Sequence, residues 1–327
     1  MKLYEDKYVV VTGGAGFIGS CVVRELNNKG FFNIVIVDNL GKTEKWKNLV
    51  GKRFVDVIHK DNFFTWLEGR EDEIEAFIHL GACSSTVELD ANYLLENNYR
   101  YTRRLAEYAL HNRQRFIYAS SAATYGDGSQ GFSDNHDGLE TLQPLNMYGY
   151  SKHLFDLWAM REGILNQMTG LKYFNVFGPN EYHKGRMSSA IVKMTPDALQ
   201  KGVIQLFKSS DPAFADGGQK RDFIDVKSVA RITCAFLRND ATGIFNIGSG
   251  CAATWNELAD AVFSALGKKT SIDYIDMPAD LRGKYQNFTQ ADITKLKRAL
   301  GIESKVTPLP ESVADYVQNY LLKDERW

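Results

Sequence analysis

No stretch of the 327-residue sequence stays apolar for the roughly 20 residues that a membrane-crossing helix requires. Neither sign of charge is in excess. The 39 lysines and arginines face 40 aspartates and glutamates, which leaves no electrostatic footprint for nucleic acid or an anionic membrane surface. Cysteine is scarce and scattered. Cys21, Cys83, Cys234 and Cys251 form no Cys-x-x-Cys pair and no zinc-ligand spacing with histidine, so no metal site is expected. Each reads instead as a small buried apolar residue. The opening Met1-Lys2-Leu3-Tyr4-Glu5-Asp6-Lys7 lacks the apolar core of a secretory signal. These absences predict a reduced, cytoplasmic protein.

What is present is a steady alternation of short apolar runs with amphipathic stretches. Residues 8–11, 33–37, 54–58, 76–79, 115–119 and 171–174 read as strands buried on both faces. Between them, Ile18, Val22, Val23 and Leu26 share one helical face, and Leu94, Asn98, Leu105 and Ala109 share another. The pattern predicts an α/β fold: a Rossmann-like, doubly wound parallel sheet with a smaller, interleaved α/β lobe. We place the nucleotide-binding part at 1–176, with a return near 221–248 that begins at Arg221-Asp222-Phe223-Ile224-Asp225-Val226. The second lobe takes 177–327, with helices expected at 188–201 and 255–266.

Gly13-Gly14-Ala15-Gly16-Phe17-Ile18-Gly19 follows the first strand and opens the first helix. Gly13, Gly16 and Gly19 permit a tight turn, close backbone approach to phosphate and close helix–strand packing. A pyrophosphate would then lie on the free N–H groups of the helix N-terminus. Asp38, at the end of the second strand, suits a ribose hydroxyl and hence NAD. Lys42, Lys45, Lys47 and the pair His59-Lys60 suit a 2′-phosphate and hence NADP. The residues alone leave both open.

Tyr148 and Lys152 lie four residues apart, on one face of a helix. A phenol removes an alcohol proton at neutral pH only if its pKa falls well below about 10. A nearby ammonium has that effect. Ser121, after the fifth apolar run, would stand at the carboxyl edge of the sheet and bond the substrate oxygen.

These motifs resemble the extended short-chain dehydrogenase/reductases that act on nucleotide sugars. Within them the chain is similar to the family of ADP-heptose 6-epimerases. The likeness runs from Val9 to about Tyr320. It rests on Gly81-Ala82-Cys83-Ser84-Ser85-Thr86, the run from Tyr118 to Gly126, Tyr148-Gly149-Tyr150-Ser151-Lys152, Tyr173-Phe174-Asn175-Val176, His183-Lys184-Gly185 and the run from Tyr285 to Asp292. The last two are the specific segments.

The resemblance implies oxidation of C6 of the heptose to a transient ketone and reduction from the other face. It makes Lys184 a second acid/base opposite Tyr148. It assigns Phe17, Ile18, Asp38, Asn39, Lys45, Lys60, Leu80, Gly81, Ala82, Cys83, Ser84, Asn97, Lys152, Val176 and Lys184 to the cofactor. Lys45 and Lys60 fall on the 2′-phosphate, which tips the choice to one tightly bound, recycled NADP per subunit. Asn175, Arg186, Lys193, Phe207, Arg221 and Tyr285 are assigned to the substrate. A homo-oligomer, a pentamer on the family's pattern, and a role in lipopolysaccharide core assembly are also implied.

The chain departs from the family where Arg186 replaces a small hydroxyl residue and Lys193 a histidine. The segment 208–219 is longer than usual, and Asp225, Lys227 and Ser228 also differ. Three rivals remain. A dehydratase needs an acid and a base after Ser121, where Ala122 and Ala123 stand. Another nucleotide-sugar epimerase, on GDP-heptose or a UDP-hexose, is the nearest enzyme. A non-catalytic NADP sensor is the alternative of a different class.

Overall fold

The structure, a computed structural model, describes residues 6–278 and 286–327. The first six strands are β1 (Tyr8–Thr12), β2 (Ile34–Asp38), β3 (Asp56–His59), β4 (Ile74–His79), β5 (Arg115–Ser121) and β6 (Thr169–Tyr173). The chain then forms β7 (Asn175–Phe177), β8 (Ile204–Phe207), β9 (Lys220–Arg221) and β10 (Phe223–Asp225), and returns as β11 (Gly243–Ile247). The main sheet has seven parallel strands in the order β11-β6-β5-β4-β1-β2-β3. The doubly wound sheet expected from the alternation is therefore present.

Its helices are α1 (Phe17–Asn28), α2 (Phe63–Leu67), α3 (Ala91–Leu94), α4 (Tyr101–His111), α5 (Met147–Arg161), α6 (Ala190–Gln200) and α7 (Val226–Ala235). Side chains alternate across a strand, so one apolar run feeds two cores. Val9 and Val11 pack with Val22 and Val23 of α1 and Val229 of α7. Val10 packs on the other side with Leu105 and Ala109 of α4 and Phe155 of α5. The strand direction of winding reverses at β1, which lies between β2 and β4. Ligands bind such sheets at this point, beyond the carboxyl ends of the strands.

The remaining elements are β12 (Ala253–Thr254), α8 (Trp255–Ala265), β13 (Ile272–Ile275), α9 (Thr294–Leu300) and α10 (Leu309–Asn319). A third core joins Ile191 and Met194 of α6, Leu258 and Val262 of α8, and Val313 and Val317 of α10. Three two-stranded sheets, β10 with β7, β12 with β9 and β13 with β8, brace it.

The helix expected through 92–109 is present as one helical run, α3 and α4 joined by a π-helical turn at Leu95–Arg100. The segment 221–226 does not itself rejoin the main sheet. Its strand β10 pairs with β7; the return is made by α7 against α1 and by β11 beside β6. The long segment 208–219 forms a loop pinned at Asp216, whose carbonyl accepts from Asn256 at 3.0 Å, and at Asp211, whose carboxylate accepts from Asn287 at 3.0 Å.

Candidate active site

The glycine turn is built by exclusion of side chains. Gly13 has φ +67°, and a Cβ there would stand 2.7 Å from the backbone nitrogen of Gly81 at the end of β4. A Cβ on Gly19 would meet the Gly13 carbonyl at 2.1 Å. Gly16 precedes α1 with no side-chain cap, so the positive end of the helix is open to an anion. The Ala15 N–H donates to Asp38 Oδ2 at 2.9 Å. The other Asp38 oxygen accepts from Asn39 N at 2.7 Å and from the Lys45 ammonium.

Beside the turn, His79 is 1 % exposed and fully bonded. Thr102 Oγ1 donates to Asn98 O, so it accepts from His79 Nε2 at 2.8 Å. Nδ1 of the neutral ring then accepts from Thr12 Oγ1 at 2.6 Å, and Thr12 Oγ1 accepts from Gly81 N at 3.0 Å. This assigns the Nε2–H tautomer. Burial pushes the imidazole pKa down to about 3, and the ring is neutral.

The π-helical turn turns Asn97 and Asn98 to different tasks. Asn97 faces the cleft and accepts from Lys60 Nζ at 2.9 Å. Asn98 is fully buried. It accepts from Cys83 N at 2.8 Å, donates to Cys83 O at 2.9 Å, and donates to Ser151 Oγ at 3.0 Å. It thus fastens the segment after β4 to α5.

Helix α5 begins at an Asn146 cap, whose side chain accepts from Gly149 N at 2.9 Å. A Cβ on Gly149 would stand 2.7 Å from the Ala123 carbonyl, so glycine lets Tyr148 approach Ser121. Burial raises the phenol pKa, and the neighbouring Ser121 side chain partly opposes that shift. Lys152, one turn along α5, donates from Nζ to the Ala119 carbonyl at 2.9 Å. Burial brings its pKa down to about 8, with Asp156 opposing.

Asp156, one turn further along α5, anchors a polar layer beneath these groups. It accepts from Tyr118 OH at 2.9 Å and Ser120 Oγ at 2.7 Å and pairs with Lys172 at 3.3 Å. Lys172 donates to Thr124 Oγ1 at 2.6 Å, which donates to Ser121 O at 2.8 Å.

Lys184, also in the cleft lining, lies in the 3₁₀ segment Tyr182–Met187. Its ammonium stands 5.3 Å from the centre of the Phe17 ring, in cation–π range. Burial lowers its pKa, and the Glu181 charge opposes that shift.

One cleft of about 1050 Å³ connects all of this. It is lined by Gly13, Gly16, Phe17, Ile18, Gly19, Asp38, Asn39, Lys45, Lys60, Leu80 through Ser84, Asn97, Ser121, Tyr148, Lys152, Asn175, Val176 and Lys184. An adjoining cavity of about 320 Å³ is reached by Ser121, Tyr148, Asn175 and Arg221, with Ala122 and Ala123 in its wall. Three expected substrate residues stand apart. Helix α6 turns Ile191, Met194, Thr195 and Ala198 inward, which leaves Lys193 exposed with its Nζ on the Arg186 carbonyl at 3.2 Å. Arg186 is exposed too. Phe207 ends β8, half-buried, with its carbonyl accepting from Gly217 N. Tyr285 lies outside the described residues.

Some lining groups were not anticipated. Thr12, His183, Phe223 and Trp255 reach the cleft, and Asn98 organises it from behind. Asn98 had a signal, a polar residue at an apolar-spaced position. The glycine cradle, the open α1 terminus, and Asp38 with two ammonium groups near the same end fit a dinucleotide.

A model of the NAD dependent epimerase/dehydratase family matches residues 9–248. The ADP-L-glycero-D-manno-heptose-6-epimerase of Nitratidesulfovibrio vulgaris (strain DP4) is 54% identical over 315 residues, covering 95% of this chain and 97% of its own. The enzyme of that name from Fusobacterium nucleatum is 46% identical over 331 residues, with 98% and 99% covered. Among solved structures, the Helicobacter pylori ADP-L-glycero-D-manno-heptose-6-epimerase is similar, with a TM-score of 0.80 at 27% identity and 96% of each chain covered. The UDP-glucuronic acid 4-epimerase of Bacillus cereus, in complex with UDP-glucuronic acid and NAD, has a TM-score of 0.76 at 25% identity, covering 97% of this chain and all of its own.

Proposed function

Because this chain belongs to the NAD dependent epimerase/dehydratase family, we propose that it interconverts ADP-D-glycero- and ADP-L-glycero-D-manno-heptose by inverting C6. The observation that carries the reading is that Tyr148 and Lys184 line one cleft. An inversion through a ketone removes an alcohol proton on one side and restores it on the other, so it needs two proton-transfer groups. Tyr148 serves one epimer and Lys184 the other.

Ser121, which lines the same cleft as Tyr148, holds the reacting oxygen. Lys152 lies one turn along α5 from Tyr148 and supplies positive charge behind it. A nicotinamide cofactor, when bound, supplies reversible acceptance of two electrons from the carbinol carbon. The Gly13–Gly19 turn holds its pyrophosphate, and Asp38 and Asn39 its adenosine ribose. We read that cofactor as NADP. Lys45 neutralises Asp38, which removes the charge that would repel a 2′-phosphate, and Lys60 lines the same cleft. Asn175 and Arg221 face the sugar nucleotide. A division at 176/177, a cytoplasmic homo-oligomer and a role in making the heptose precursor of lipopolysaccharide core follow from the family reading. No described helix is long and apolar enough to cross a membrane.

The alanines at 122 and 123, in the wall of the smaller cavity, cannot supply the acid and base of a dehydratase. A 4-epimerase does not require Lys184, and an NADP sensor requires neither Tyr148 nor Lys152. Proton NMR of ADP-D-glycero-D-manno-heptose with the protein and catalytic NADP in deuterated water tests the reading. The L-glycero epimer should appear with no deuterium at C5 or C7. Deuterium at either carbon would mean enolisation and would sink direct oxidation. Tyr148→Phe should keep cofactor binding and lose about 10²–10⁴-fold in turnover. A fully active Tyr148→Phe protein would remove Tyr148 from the reaction.

A further inference from the structure

The segment that carries Lys184 is tied down by a single carboxylate. Glu181 has no solvent exposure. Its Oε1 accepts from Gly178 N at 3.3 Å, Ser189 Oγ at 2.7 Å and Tyr316 OH at 3.0 Å, and its Oε2 accepts from Ser189 N at 2.6 Å. Those donors lie before the segment, after it, and on α10. The backbone carbonyl of the same residue accepts from Lys184 N at 2.9 Å and from Ser188 Oγ at 3.4 Å. Burial raises the carboxyl pKa, and the hydrogen bonds from Ser189 and Gly178 oppose that shift.

We propose that Glu181 is the positioning residue for Lys184: it closes the 182–187 segment by both ends and supplies the negative charge against which the ammonium is set. This rests on the reading of Lys184 as an acid/base. Burial drives the two groups toward their neutral forms, the carboxyl upward and the ammonium downward, and each charge opposes the other's shift. The other groups around the segment do not substitute for it. His183 is depressed to about 4, chiefly by burial, and is neutral. Asp38 is engaged by Lys45, Phe17 offers only its ring, and Tyr316 donates to Glu181 itself.

The test needs no turnover. In the full chain saturated with NADP, lysine is labelled with ¹³C at Cε and the Lys184 signal is assigned by its loss in Lys184→Met. Glu181→Gln, which keeps the shape and removes the charge, should lower the Lys184 midpoint by about one pH unit. Linkage is reciprocal, so Lys184→Met should raise the Glu181 carboxyl midpoint, read with ¹³C-carboxyl glutamate. That second measurement alters only a half-exposed residue and stands if Glu181→Gln does not fold. Unchanged midpoints overturn the proposal. A lowered Lys184 midpoint with unaltered epimerisation upholds the coupling and removes Lys184 from the reaction.

Discussion

The Asn98 amide donates to the Ser151 hydroxyl at 3.0 Å, and Ser151 in turn donates to the Tyr148 carbonyl at 2.7 Å. One buried side chain therefore links the Cys83 end of the cleft to the first turn of α5. Replacing Asn98 by Ala strands the Cys83 N–H and carbonyl that it now pairs. The expected loss is about 2–4 kcal/mol of stability, from unpaired polar groups and a small cavity. Urea unfolding measures it. A parallel fluorescence titration should find weaker cofactor binding, because the 80–84 segment loses its tether. Unaltered affinity would mean that the segment is held by other contacts.

The ion pair of Asp38 with Lys45 leads to a second expectation. Lys45→Ala should weaken NADP binding about 10–100-fold, the worth of one charge-assisted hydrogen bond. NAD binding should hold or tighten, since Asp38 is then free for the ribose hydroxyls. Calorimetric titration with both cofactors checks the direction. Equal losses for the two would rule out contact with a 2′-phosphate.

His79 gives the protein an acid limit. Its folded pKa is about 3 against 6.5 for the free ring. Between these values the unfolded chain binds the extra proton, so the stabilisation is complete above pH 6.5 and is lost as pH falls toward 3. The slope from this residue is about 1.4 kcal/mol per pH unit. Unfolding of the wild type and His79→Gln, compared from pH 7 to 4.5, should show the wild type falling more steeply. Parallel curves would mean that another group governs the acid side.

Asp156 and Lys172 are both wholly buried. Lys172→Met leaves the carboxylate without its counter-charge and should destabilise by about 3–5 kcal/mol. Asp156→Asn combined with Lys172→Met should cost less than the sum of the single changes. A double-mutant cycle on unfolding free energies reads the coupling. Strict additivity would show that the two charges do not interact.

Where chemistry and chain order coincide, the sequence was sufficient. The turn at Gly13, the 148/152 spacing and the two-faced strands are local patterns, and local patterns survive folding. The registers of Arg186 and Lys193 are different. The inward face of α6, Ile191, Met194, Thr195 and Ala198, packs in one core with Leu258 and Val313 from far along the chain, and it leaves Lys193 on the solvent side. Position on a helix face also does not fix where a long side chain ends: the Lys152 ammonium reaches the Ala119 carbonyl. Asn98 stood at an apolar-spaced position, but its partners on Cys83 and Ser151 appear only once β4 and α5 are adjacent.

In the finished sheet β6 lies between β5 and β11, and β11 follows it after about seventy residues. At about 5–20 residues per second, the ribosome releases Thr169–Tyr173 several seconds before the strand that will cover it. During that interval a wholly buried segment presents an open row of backbone donors and acceptors to any neighbouring chain. Interleaving thus makes the pace of synthesis a determinant of yield. Crowded polysomes translating this message would pair their β6 edges with one another, and slowing codons placed between 174 and 242 would lower the soluble fraction without changing a single residue.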